Sequence, residues 1–120
     1  MILVDTSIWV NHFRKANDRL KELLLNGLVL THPFVIGELA CGNMKRRDEI
    51  ISLLKALPAA EIATDDEVLY LIEKHSLMGI GIGLVDTHLL ASSILTKTLL
   101  WTEDKRLVTA AENLNILYHA

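Results

Sequence analysis

A short apolar run, Ile2-Leu3-Val4, ends on Asp5 and opens through Thr6 and Ser7 into an apolar helical pattern. No other feature of the chain constrains the fold as strongly. An unbroken Val/Ile/Leu run suits a strand buried on both faces, as in a parallel sheet covered by helices. In such sheets, ligands bind at the carboxyl ends of the strands. Two readings of Asp5 are therefore open. It caps the following helix, as Asp, Thr and Ser commonly do, or it holds a cation.

The strand-then-helix unit recurs along the chain. Ser7 to about Lys15 reads as a first helix, and Asn17-Asp18 caps a second that stops near Asn26-Gly27. Leu28 to Thr31 reads as a second strand. Pro33 suits the first turn of a helix over about Phe34 to Cys41, and another helix spans about Lys45 to Leu57. Ala59 to Ala63 reads as a short strand, and Thr64-x-x-Glu67 is a capping box that opens a helix to about Met78. After the glycine-rich loop 79–83, a helix covers about Leu84 to Thr96. Thr98 to Trp101 is a third strand, Asp104 to about Glu112 a short helix, and Asn115 to Tyr118 a closing strand. Alternation of this kind predicts right-handed crossovers and one α/β domain over residues 1–120. Its central parallel sheet is expected to have about four to five strands, flanked by helices on both faces.

The 120-residue length fits one domain with a real core. The mean hydropathy of +0.33 implies a large apolar interior or an interface. No apolar run approaches the roughly 20 residues that span a bilayer. The N-terminus lacks the basic segment and cleavage site of a signal peptide. A single cysteine, Cys41, cannot form an internal disulfide and reads as a small core residue. Together these predict a cytoplasmic protein. The net charge of −3 argues against strong non-specific nucleic-acid binding. It does not exclude a nucleic-acid enzyme, because bound cations reverse the local field of an acidic site. Arg14-Lys15, Lys45-Arg46-Arg47 and Lys105-Arg106 are the basic clusters, and each alone reads as a solvated helix surface.

Four acids sit at places poorly explained by solvation. Asp5 ends the first strand. Glu38 and Asp86 interrupt otherwise apolar helices, and Asp104 follows the third strand. Strand ends and helix starts meet at one edge of a doubly wound sheet, so all four can converge there. Two carboxylates about 4 Å apart repel by roughly 4 kcal/mol at an effective dielectric near 20. Convergence therefore calls for protonation or a hard divalent ion. All-oxygen ligands, with no Cys or His cluster, favour Mg²⁺ or Mn²⁺ over Zn²⁺.

The strings Leu3-Val4-Asp5-Thr6-Ser7-Ile8-Trp9, Ile36-Gly37-Glu38-Leu39, Gly83-Leu84-Val85-Asp86-Thr87 and Trp101-Thr102-Glu103-Asp104-Lys105-Arg106-Leu107 together resemble those of PIN-domain nucleases. More closely, the chain is similar to the VapC-type toxins of toxin–antitoxin pairs. The resemblance implies a Mg²⁺- or Mn²⁺-dependent endoribonuclease with Asp5, Glu38, Asp86 and Asp104 as catalytic metal ligands. Thr6, Ser7 and Thr102 match the family's supporting polar positions. Glu103 stands where relatives often carry a basic or neutral residue; Asp104 matches the motif position. Hydrolysis by metal-activated water predicts products with 5′-phosphate and 3′-hydroxyl ends. The partners implied are an RNA substrate, a VapB-type antitoxin and a second copy of the chain in a homodimer, with no membrane.

Two other classes remain to be weighed. A receiver-like signalling domain also carries Asp at a strand end, but wants an acidic pair there. A catalytically silent PIN-like module would bind RNA or protein without cutting. The Gly79/Gly81/Gly83 pattern lacks the spacing of a phosphate-binding loop. The five histidines show no ligand spacing, and Trp9 and Trp101 read as packing residues.

Overall fold

Three buried runs form a sheet in the computed structural model, which describes residues 1–120. Strand β1 (Ile2–Val4) is central, with β2 (Val29–Leu30) on one side and β3 (Leu99–Trp101) on the other, in the order β2-β1-β3. Both pairings are parallel, with Leu3 opposite Leu30 and Leu100. Leu3, Val4 and Leu100 are wholly buried, as a strand covered on both faces requires.

Helices α1 (Thr6–Arg14) and α2 (Asp18–Leu25) connect β1 to β2. Helices α3 (Pro33–Cys41), α4 (Arg47–Ala56), α5 (Asp65–Lys74) and α6 (Leu84–Thr96) connect β2 to β3. Helix α7 (Lys105–Asn113) follows β3. The crossover from β1 to β2 and that from β2 to β3 run in opposite directions across the sheet, and right-handed connections of that kind put their helices on opposite faces. The strand order reverses between β1 and β3, which is where a doubly wound sheet opens a crevice. No helix is long and apolar enough to cross a membrane.

Local chemistry sets the ends of these elements. Asn17 caps α2 by accepting from the Leu20 amide at 3.0 Å. The expected capping box is present at α5: the Thr64 hydroxyl accepts from the Glu67 amide, and the Glu67 carboxylate from the Thr64 amide. Thr64→Ala is expected to destabilise the protein by about 1 kcal/mol, read as a lower urea midpoint with an unchanged slope.

The expected sheet of four to five strands is corrected to three. Ala59–Ala63 and Asn115–Tyr118 each contribute one isolated parallel bridge, Thr31 to Ala59 and Leu100 to Leu117. The first segment carries three alanines, which are depleted in strands, and Glu61 and Ile62 are exposed. A second correction concerns Cys41. It is exposed at the last turn of α3 rather than in the core.

Candidate metal centre

The carboxyl ends of β1 and β3 lie side by side, and the next residues along each strand carry the site. Asp5 occupies the N-cap position of α1, yet its side chain makes no capping hydrogen bond. Its Oδ2 instead accepts from Ser7 Oγ at 2.9 Å and from Thr102 Oγ1 at 2.8 Å. Only 6% of the residue is exposed. The capping reading of Asp5 therefore fails. The two hydroxyls do more than hold Asp5. The amide of Asp104 donates to Thr102 Oγ1 and that of Glu103 to Ser7 Oγ, each at 3.1 Å. The turn from β3 into α7 is hung from the same pair of oxygens.

Asp104 does act as a cap. Its Oδ1 accepts from the amides of Arg106 and Leu107, both at 3.0 Å. Asp86 lies in the first turn of α6, where its Oδ2 accepts from the Gly83 amide at 3.2 Å. Glu38 is exposed on α3, and its Oε1 takes a 2.6 Å hydrogen bond from Thr6 Oγ1. In each of the four acids, then, one oxygen is fixed by the chain and the other has no partner in it. None of them joins the protein's ion pairs, which involve Glu22, Glu49 and Asp48.

Charge ties the four together. The Asp86 carboxyl is raised above its usual range, first by burial and then by the negative charges of Asp5, Asp104 and Glu38; the Gly83 amide works the other way. The N-termini of α1, α6 and α7 add partial positive charge beside Asp5, Asp86 and Asp104. This does not replace a counter-ion. As placed, no three of these side chains gather closely enough to hold one ion. The donor set nevertheless fits a hard divalent cation: four unengaged carboxylate oxygens, no sulfur, no imidazole and no basic side chain paired with them.

Thr6, Ser7 and Thr102 each hydrogen-bond an acid side chain of the set, Thr6 to Glu38 and the other two to Asp5. Thr102→Val removes the donor to Asp5 and the acceptor for the Asp104 amide while keeping the shape. Partners of this kind are worth about 10–100-fold in metal affinity or activity. Calorimetric titration with Mn²⁺ is expected to show a loss in that range, and unchanged affinity would contradict this role for the hydroxyl.

Glu103 is turned elsewhere: its carboxylate accepts from Asn11 Nδ2 on α1. Sequence reasoning passed over Asn11, although it lies four residues after Ser7 and so on the same helix face. The histidines stay outside the site. His12 Nδ1 accepts from the Asn17 amide at 2.9 Å, and burial lowers the proton affinity of the ring. His88 is buried against Phe34. His32, also passed over, caps α3 from full burial. Trp9 and Trp101 pack as expected, against Phe13 and Tyr118.

A hydroxyl-braced set of four carboxylates, none paired with a basic side chain, thus stands near the switch point of a small parallel sheet. The PIN domain family model matches residues 2–113, and the chain belongs to that family. The chain is also similar to Ribonuclease VapC32 from two strains of Mycobacterium tuberculosis. Each is 48% identical over 111 residues, spanning 92% of this chain and 90% of the relative. The kinship with VapC-type proteins drawn from the sequence strings is borne out.

Proposed function

We propose that residues 1–120 act as one PIN domain, a Mg²⁺- or Mn²⁺-dependent endoribonuclease that is the toxin of a toxin–antitoxin pair. One observation carries the reading: four mutually repelling carboxylates, each fixed by one oxygen and none paired with a base, at the carboxyl edge of the sheet. RNA is favoured as the substrate because the chain shares 48% identity with a ribonuclease of nearly the same length.

Asp5, Glu38, Asp86 and Asp104 are the residues that would hold the cation. Once bound, the cation supplies positive charge beside the phosphate and acidifies a water molecule. The chain's own contribution is placement. Ser7 and Thr102 fix the buried Asp5, Thr6 fixes Glu38, and the Gly83 amide aims Asp86. The carboxylate oxygens left without a partner in the chain are the ones that would hold the cation. Since the RNA 2′-hydroxyl takes no part as nucleophile, the products carry 5′-phosphate and 3′-hydroxyl ends. An antitoxin segment suits the apolar groove lined by Trp9, Phe13, Leu24, Leu53 and Leu57. Exposed Leu69 and Tyr70 on α5 suit a second copy of the chain.

The test is incubation of purified protein, freed of co-purifying partners, with total cellular RNA in Mg²⁺ or Mn²⁺ and in EDTA. Cleavage that requires the metal and leaves 5′-phosphate ends is expected. Products with 2′,3′-cyclic phosphates, or cleavage that survives EDTA, would overturn the proposal. RNA binding without cleavage would identify the silent module.

A further inference from the structure

A cleft of about 780 Å³ lies between α1, the end of α3 and the turn into α4. Glu38 forms part of its wall, and Glu38 is the acid through which the cleft adjoins the cluster, since its charge acts on Asp86. Its floor is apolar, with Val10, Phe13, Leu39, Met44 and Ile50. Its remaining charged groups are Arg14, Lys45 and Arg46, and it holds no acid besides Glu38. Three cations on one cleft are a marked concentration in a chain whose net charge is −3.

The cations differ in how free they are. Arg46 is engaged by Glu49 through hydrogen bonds of 2.9 and 2.7 Å. The ion pairs of the chain involve Arg19, Arg46 and Arg47, so Arg14 and Lys45 are unpaired, and both are exposed. The turn that carries Lys45 is pinned: the Arg47 guanidinium donates to the Ala40 carbonyl at the end of α3. The wall is therefore set before anything binds, which lowers the entropy lost on binding. Phe13 stacks on Trp9 and remains 37% exposed. It is an aromatic surface of the kind on which an unpaired base stacks.

Unpaired cations on the rim, an apolar floor and a wall that includes Glu38 match the chemistry of one unpaired nucleotide. We infer that this cleft holds the RNA nucleotide next to the scissile phosphate, with Arg14 and Lys45 on its backbone phosphate and its base over Phe13. The inference rests on the ribonuclease reading above and extends it to a specificity-determining subsite. An acidic peptide would meet the same cations but would not supply the planar ring that the exposed face of Phe13 suits. The neighbouring groove of Leu24, Leu53 and Leu57 offers apolar surface without those cations.

The test uses the full chain and a fluorescein-labelled single-stranded RNA of mixed sequence. It reads steady-state cleavage in Mn²⁺ and the salt dependence of binding by anisotropy in EDTA. Arg14→Gln with Lys45→Gln is expected to raise KM about tenfold, the loss of roughly one charged hydrogen bond, with kcat retained. The slope of log affinity against log salt should fall by about 0.7 for each phosphate that is no longer neutralised. Lys74→Gln with Lys97→Gln makes the same charge change elsewhere and should leave KM and slope as in the parent. Retained kcat and an unchanged melting midpoint show that the double variant folds. Equal KM and slope in parent and double variant, with the parent active, would overturn the subsite alone. Unchanged RNA binding with loss of association with the antitoxin would assign the cleft to protein and also overturn it. A parent that neither binds nor cuts RNA would overturn the ribonuclease reading and the subsite together.

Discussion

An Asp86→Asn protein is expected to cut RNA about 100–1000-fold more slowly than the parent, the usual effect of losing one preorganised electrostatic group, and yet to melt at a higher temperature in metal-free buffer. The two effects share one cause. Burial and the charges of Asp5, Asp104 and Glu38 oppose ionisation of Asp86. A carboxyl raised in this way lowers the stability of the fold at any pH where it is ionised. The amide of Asn keeps an oxygen acceptor for the Gly83 N–H and removes only the charge. Strain relieved and activity lost by the same substitution is the mark of a functional site. Calorimetry in EDTA and a cleavage assay in Mn²⁺ check the two halves. A variant that loses activity and also melts lower would mean that Asp86 serves the fold instead.

Stability is expected to fall by about 3 kcal/mol between roughly pH 6.5 and pH 4 through His32 alone. His32 is fully buried, and its Nδ1 accepts from the Phe34 amide at 3.0 Å. That bond fixes the proton on Nε2, which donates to Ser92 Oγ at 3.0 Å. Protonating Nδ1 would break the cap and place a charge in the core beside His88. Burial first, and then His88, push the ring's pKa down to about 4. The sign follows from where the proton goes. Above about pH 7 neither state binds it. Between about 6.5 and 4 the unfolded chain takes it up and the folded one does not, so stability drops. Below about 4 both are protonated and the loss levels off. Urea unfolding of the parent and of His32→Asn isolates this contribution, since Asn can still cap α3 and does not titrate. The variant should be less stable at neutral pH but lose less on acidification. Equal losses in both proteins would remove His32 as the cause.

Periodicity alone reaches the sheet's three strands because Ile2–Val4, Val29–Leu30 and Leu99–Trp101 are apolar runs bounded by polar or turn residues. The outer segments fell short because pairing at an edge depends on neighbours that local sequence does not specify. Ala59 and Leu117 each find one partner residue and then diverge. The four acids stood out because charge inside an apolar pattern is rare. The bracing of Asp5 by Thr102 was not legible in local sequence, because it joins residues 97 positions apart. Asn11 was signalled only by its four-residue spacing from Ser7, and His32 and the exposure of Cys41 were not legible at all. Each depends on which way a side chain turns once α1, α3 and α6 are packed, a tertiary decision that neither spacing nor composition records.

Everything proposed for the site depends on whether these four carboxylates share a divalent cation. Titration of the metal-free protein with Mn²⁺ by calorimetry, in two buffers of different ionisation heat, measures that directly. Saturable binding is expected, with proton release where Asp86 is still protonated and with the affinity abolished or strongly reduced in Asp86→Asn and Asp5→Asn. Absence of Mn²⁺ binding, or affinity unchanged by both substitutions, would contradict it.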